Sequence, residues 1–114
     1  MNLNPQILAI SEILGVPVYP TWADVPERST NYIVFVYEDD RPVFYADDEA
    51  LAEEATAAVH WFFRLGDAQE NKKRLRAALR RQGLMTGSTQ EMHESDTGLT
   101  HIVVSASSGG IISD

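Results

Sequence analysis

The sequence predicts a small α+β domain: a mostly antiparallel sheet of four to five strands flanked by two helices. Three observations carry that expectation. The stretch "NYIVFVYE" (31–38) is β-branched and aromatic almost throughout, which suits a pleated strand. Two other stretches, "NPQILAISEILG" and "DAQENKKRLRAALRRQG", have helix start and stop residues at the expected offsets. Finally, "QEMHE" and "LTHIVVSA" flank "SDTG", the pattern of a β-hairpin.

Taken in order, Asn4 suits the cap of the first helix and Pro5 its first turn. Ile7, Ile10 and Leu14 recur at helical spacing, and Gly15 suits the stop. "VPVYPTWADVPERS" has three prolines and reads as an ordered loop, with an extended piece at 16–19. In 31–38, Ile33, Phe35 and Tyr37 fall on one face and Tyr32, Val34 and Val36 on the other. Such a strand requires cover on both sides. "DDRP" then reads as a turn, with "VFYA" (43–46) pairing back as a second strand. "ALAEEATAAVHWFFRL" (50–65) begins with strong helix formers. It ends in alternation, with Val59, Trp61, Phe63 and Leu65 set against Ala58, His60, Phe62 and Arg64. Its pattern alone leaves helix and strand open. In the next helix Asp67 and Glu70 have capping-box spacing, and Gly83 ends it. A three-residue hairpin loop with Gly98 in the left-handed position sets Ser95 opposite Leu99 and His93 opposite His101. The domain is expected over 1–106, and "SSGGIISD" (107–114) as a flexible tail.

Composition narrows the function. A chain of 114 residues, 44% hydrophobic, suits one domain with a modest core. No run nears the length of a membrane span, no signal-peptide pattern opens the chain, and no cysteine offers disulfide or thiolate chemistry. A net charge of −8 argues against bulk nucleic-acid binding. The charge is polarised. Six of the nine basic residues lie in 72–81, and eight of the seventeen acids lie in 38–54. Zones of opposite sign can pair within the chain or between copies.

No constellation points to catalysis. Asp47, Asp48 and Glu49 are adjacent in "YADDE", and no second acidic motif joins them. The calcium-loop spacing, the Gly-x-Ser-x-Gly elbow and the glycine-rich phosphate loop are all missing from the sequence. His93 and His101, placed face to face, supply two metal ligands where a site needs at least three. "YADDE" is therefore expected to be a polar joint between two structural elements, with no catalytic residue, cofactor or metal. Lys72, Arg76 and Arg80 recur about once per helical turn, as a solvated face, a subunit rim or a phosphate track would. No aromatic residue interleaves them to stack bases.

The order "GVPVYP", "YIVFVYEDDRPVFYADDE", "ATAAVHWFFRL", "LRAALRRQG" and "QGLMTGSTQEMHESDTGLTHIVVSA" resembles the small tail-completion proteins of long-tailed phages and prophages. These are also called tail terminators or head–tail joining proteins. The resemblance covers about 5–106 and is most specific at "YADDE" and "ESDTGLTH". It implies a structural, non-enzymatic protein that assembles in the host cytoplasm and resides in the virion. There a ring, usually of six copies, caps the tail tube at its head-proximal end and meets the head connector proteins. The implied partners are therefore the chain itself, the tube protein and the connector, with no membrane and no DNA contact outside a ring lumen. The resemblance also implies a long strand over 52–65. In a ring, Trp22 would offer apolar contact. Asp47, Asp48, Glu49 and Glu53 would face Lys72, Arg76 and Arg80 of a neighbour. Surplus aromatics (Trp22, Trp61, Phe62, Phe63) fit a buried subunit contact. The alternative is a dimeric protein- or ligand-binding α+β module of a bacterial host.

Overall fold

A computed structural model describes the backbone of residues 3–46 and 49–111, and the side chains of these outside 39–54 and 109–111. The chain order is α1 (Asn4–Leu14), β1 (Val18–Tyr19), a short 3-10 helix (Trp22–Asp24), β2 (Asn31–Ala46), β3 (Glu49–Phe63), α2 (Ala68–Arg81), β4 (Met85–Glu94) and β5 (Leu99–Ile111). The five strands form one sheet in the order β1-β2-β3-β5-β4. All pairs are antiparallel except β1 with β2. The chain is an α+β domain, as its sequence predicts.

Cross-strand rows build the core. Ile33, Trp61 and Ile102 form one row, and Phe35, Val59 and Val104 the next. These residues pack in a single cluster with Leu3, Ile7, Ile10 and Leu14 at and along α1, and Leu75, Ala78 and Leu79 of α2. Both helices thus cover the same face of the sheet. Arg74 ties them together: its guanidinium donates to the Leu14 carbonyl at 3.2 Å and lies 5.5 Å from the Trp61 ring centre. Trp61 in turn donates from Nε1 to Asn31 Oδ1 at 2.7 Å, so the largest core side chain leaves no polar atom unpaired.

Helix punctuation follows the sequence with one shift. Asp67 accepts from the backbone N–H groups of Gln69 (2.8 Å) and Glu70 (3.4 Å), and Gly15 closes α1 with φ of 70°. Asn4, expected as a cap, is instead the first residue of α1, and Leu3 holds the cap position. The Asn4 side chain accepts from the Tyr37 hydroxyl at 2.5 Å, and the same hydroxyl accepts from Leu3 N–H at 2.8 Å. A contact distant in sequence has taken the role that local capping would have had.

The strands depart further from expectation. "DDRP" is not a turn, and "VFYA" does not pair back. β2 runs on through both, and β3 answers it from Ala57 to Glu49. Register shifts between Tyr37 and Asp39, Pro42 and Phe44, and Phe44 and Tyr45 absorb the turn-forming residues as bulges. Proline is tolerated because β1 covers only Ile33 and Val34, leaving that side of β2 open beyond them. "ALAEEA" is strand. Helix propensity amounts to under about 1 kcal/mol per residue, and β3 is flanked by β2 and β5, which satisfy its backbone on both sides. Residues 107–111, expected as a flexible tail, continue β5 and pair with 52–56. The long β2 and β3, of 16 and 15 residues, set a long axis of 53 Å. The radius of gyration is 15.4 Å, against about 13 Å for a compact chain of this length.

Candidate functional site

Neither α1 nor α2 covers the second face of the sheet, and its alternation places a separate set of side chains there. Tyr32, Phe62, His101 and Met92 form one row across four strands, with Val34, His60, Val103 and Gln90 beside it. The rings are in contact. Tyr32 stacks on Phe62 at 4.9 Å between centres, and Phe62 stacks on His101 at 4.0 Å with 18° between planes. Trp22 reaches this row from the 3-10 helix, 5.3 Å from Phe62 edge-on and 5.6 Å from His60. Thr21 Oγ1 accepts from Ala23 N–H at 3.4 Å and begins that helix. Trp22 is the cover that the sequence required for this face, yet one residue covers little. It is 47% exposed, Val36 40% and Met92 44%, an apolar strip left facing solvent.

At its centre His60 Nδ1 lies 2.7 Å from His101 Nε2. At that separation one nitrogen donates and the other accepts, so one hydrogen occupies the gap. On the far side of its ring, His101 Nδ1 is 3.6 Å from Glu94 Oε1. Burial, and then the neighbouring His60, hold His101 well below the usual histidine range, at about 4. Burial also lowers His60, opposed by the charge of Glu38. Burial and then Glu94 raise Tyr32. The three donors His60, His101 and Glu94 do not converge, because Glu94 faces the opposite nitrogen of His101. Among the described residues no group of three or more such side chains could hold a metal ion.

The expected His93–His101 pair is not formed. The hairpin pairs Glu94 with Leu99, so His101 lies opposite Met92 and His93 opposite Thr100. The loop has four residues rather than three, and Gly98 keeps the left-handed conformation at φ 74°. Shifting a register by one residue moves each side chain to the other face. The partner of His101 comes from β3, a strand that hairpin counting cannot reach. The alternation of 58–64 with "LTHIVV" put His60 and Phe62 on one face and His101 on one face, but only the β3–β5 register brings those faces together.

The basic line predicted as an interface lies along its own chain. Lys72 Nζ pairs with Glu91 Oε1 at 2.9 Å. Arg76 donates to Thr89 Oγ1 at 3.5 Å and Arg80 to Thr86 Oγ1 at 3.2 Å. Arg76 Nε is buried without a hydrogen-bond partner. Lys73 and Arg81 of the same helix are exposed. On the acidic side, Ala46 pairs with Glu49 and Pro42 with Glu53. The side chains of Glu49 and Glu53, and all of Asp47 and Asp48, lie outside the described residues. A shallow groove of about 550 Å³ at the opposite end of the sheet is lined by Arg28, Tyr32, Arg64, Asp96 and Leu99 among others. Its charges are mixed in sign, and Arg64 is engaged with the Thr97 carbonyl at 3.3 Å.

No protein-family model matches the chain. No curated protein matches it either.

Proposed function

We propose that this chain is a structural subunit that acts by assembling with copies of itself, of the tail-completion kind that its sequence resembles. The observation that supports the reading most is the half-covered sheet. Two helices bury one face, while the other leaves Trp22, Val36 and Met92 partly in solvent, with a short loop across it among the described residues. A strip of this kind fits a subunit contact. The elongated β2–β3 pair adds a second route, since it extends backbone and acidic sequence away from the helical body. In this reading the ring closes on the head-proximal end of a tail tube and presents its other side to the connector. Apolar strips supply affinity, and the polarised charge sets orientation.

Light scattering and negative-stain imaging of the purified protein, alone and mixed with tail tubes of the phage that encodes it, test the proposal. A ring at one end of each tube is expected, with monomers or rings in free solution. Isolated single copies on the tube, or no binding to its end, would overturn it.

A further inference from the structure

We propose that His60 and His101 form a proton-operated latch that holds the Trp22 loop against the open face of the sheet. The inference does not rest on the assembly reading, since it uses only the geometry of the pair and its cover. In the neutral pair one hydrogen fills the 2.7 Å gap; the ring that donates it has a bare outer nitrogen, and the ring that accepts it carries its own hydrogen on the outer one. A first added proton can settle on an outer nitrogen. On His101 that nitrogen faces Glu94 at 3.6 Å. The bond between the rings survives, because an imidazolium still donates to an imidazole. A second proton leaves no acceptor in the gap. Two N–H groups and two positive charges then oppose each other, and the rings must part.

The surroundings decide which ring moves. His101 is 8% exposed and is stacked on Phe62 at 4.0 Å. His60 is only half-buried, and Trp22 lies over it at 5.6 Å. Trp22 sits on a three-residue 3-10 helix and is itself half in solvent. The outward path for His60 is therefore through Trp22, whose loop gives way while the strands stay paired. The charged and titratable groups around the pair are Tyr32 and Glu38 from β2 and Glu94 from β4, with Asp24 on the 3-10 helix beside Trp22. Glu38 and Glu94 favour the first proton, and neither removes the collision caused by the second. Burial of both rings places the second step in acid. Release of Trp22 would uncover Phe62, which is 3% exposed with the Trp22 ring against it. The latch thus sets how much apolar surface this face offers a partner.

The test is fluorine NMR of protein labelled with 5-fluorotryptophan, titrated from pH 7.5 to 3.5. Trp22→Phe assigns the two signals. The Trp22 signal should move to its solvent-exposed position in the acid part of the titration, with a midpoint at about pH 4. Trp61, bonded to Asn31 in the core, should stay fixed. In His60→Gln and in His101→Gln only one imidazole remains, so the Trp22 transition should vanish or shift by more than about one pH unit. His60→Gln alone decides if the more buried replacement fails to fold. Coincident movement of both tryptophans in the wild type, or an unchanged Trp22 transition in a folded variant, would overturn the latch.

Discussion

His101 shows how much one position can be governed by distant neighbours. Its ring is held neutral by burial and by His60, so the unfolded chain takes up a proton more readily than the folded one. Its contribution to stability is complete above the unfolded value near 6.5. It falls as pH drops through 6.5 toward 4, and no further loss follows below that. Chemical denaturation at pH 7.5 and pH 5 should therefore show lower stability at pH 5, by on the order of 1–2 kcal/mol. His101→Gln should lose most of that difference. Equal pH dependence in the two proteins would mean that other groups are responsible. Tyr37 makes a similar point without charge. Its hydroxyl joins the start of α1 to β2 through Leu3 and Asn4. Tyr37→Phe should cost about 1 kcal/mol, measured as a lowered denaturation midpoint at unchanged slope. Neither role could be read locally, because the partners of Tyr37 lie 33 and 34 residues away and His60 lies 41 from His101.

Among the elements, α2 and the end of β5 contrast. The cap of α2 is local and was legible from "DAQE": Asp67→Ala should cost about 1 kcal/mol, because two backbone N–H groups lose their acceptor. The last residues of β5 were not legible. "SASSGG" is small and polar, a composition that reads as a tail, but Ser107 and Ser108 pair with Thr56 and Ala55 of β3. Deleting 107–114 should lower the melting temperature by several degrees, since it removes pairing from a strand buried at Ala55 and Ala57. An unchanged melting temperature would show that this pairing contributes nothing to stability. The same pairing explains why "ALAEEA" forms a strand against its propensity. With β2 on one side and β5 on the other, small residues fit at the middle of the sheet, and Ala55 and Ala57 are fully buried.

For the whole molecule, the structure revises which cations are open to a neighbouring copy. Lys72 and Arg76 are engaged with Glu91 and Thr89 of the same chain, while Lys73 and Arg81 are exposed and Arg80 keeps an exposed head near Thr86. If copies pair by charge, Lys73→Glu, Arg80→Glu and Arg81→Glu together should impair assembly in light scattering without lowering the melting temperature. Reversing Glu49 and Glu53 to lysine in the same chain should restore part of it. Exposed pairs contribute on the order of 0–1 kcal/mol each, so no single reversal should suffice. Assembly unaffected by the triple change would leave the apolar strip as the sole source of affinity. Trp22→Ala, which removes the largest exposed ring of that strip, should weaken assembly even where charge changes do not.

The sequence by itself determined the α+β class, both helices, the α2 cap, the β2 strand over 31–38 and the left-handed Gly98 turn. Each of these is set by residues within a few positions of one another: a cap and its N–H groups, a 3.6-residue repeat, a two-residue alternation. It also determined that 31–38 needed cover on two faces, because alternation is a local property. What covers each face was decided by the tertiary structure alone. The helices took one, and Trp22 with a row of stacked rings took the other. The length of β2, the strand at 50–58, the ordered end of β5 and the His60–His101 contact were likewise tertiary. Strand pairing joins residues far apart in the chain, and its registers are fixed by packing on the helical face. A one-residue difference in the hairpin loop moved His101 from the expected His93 to Met92, while the β3–β5 register brought it to His60.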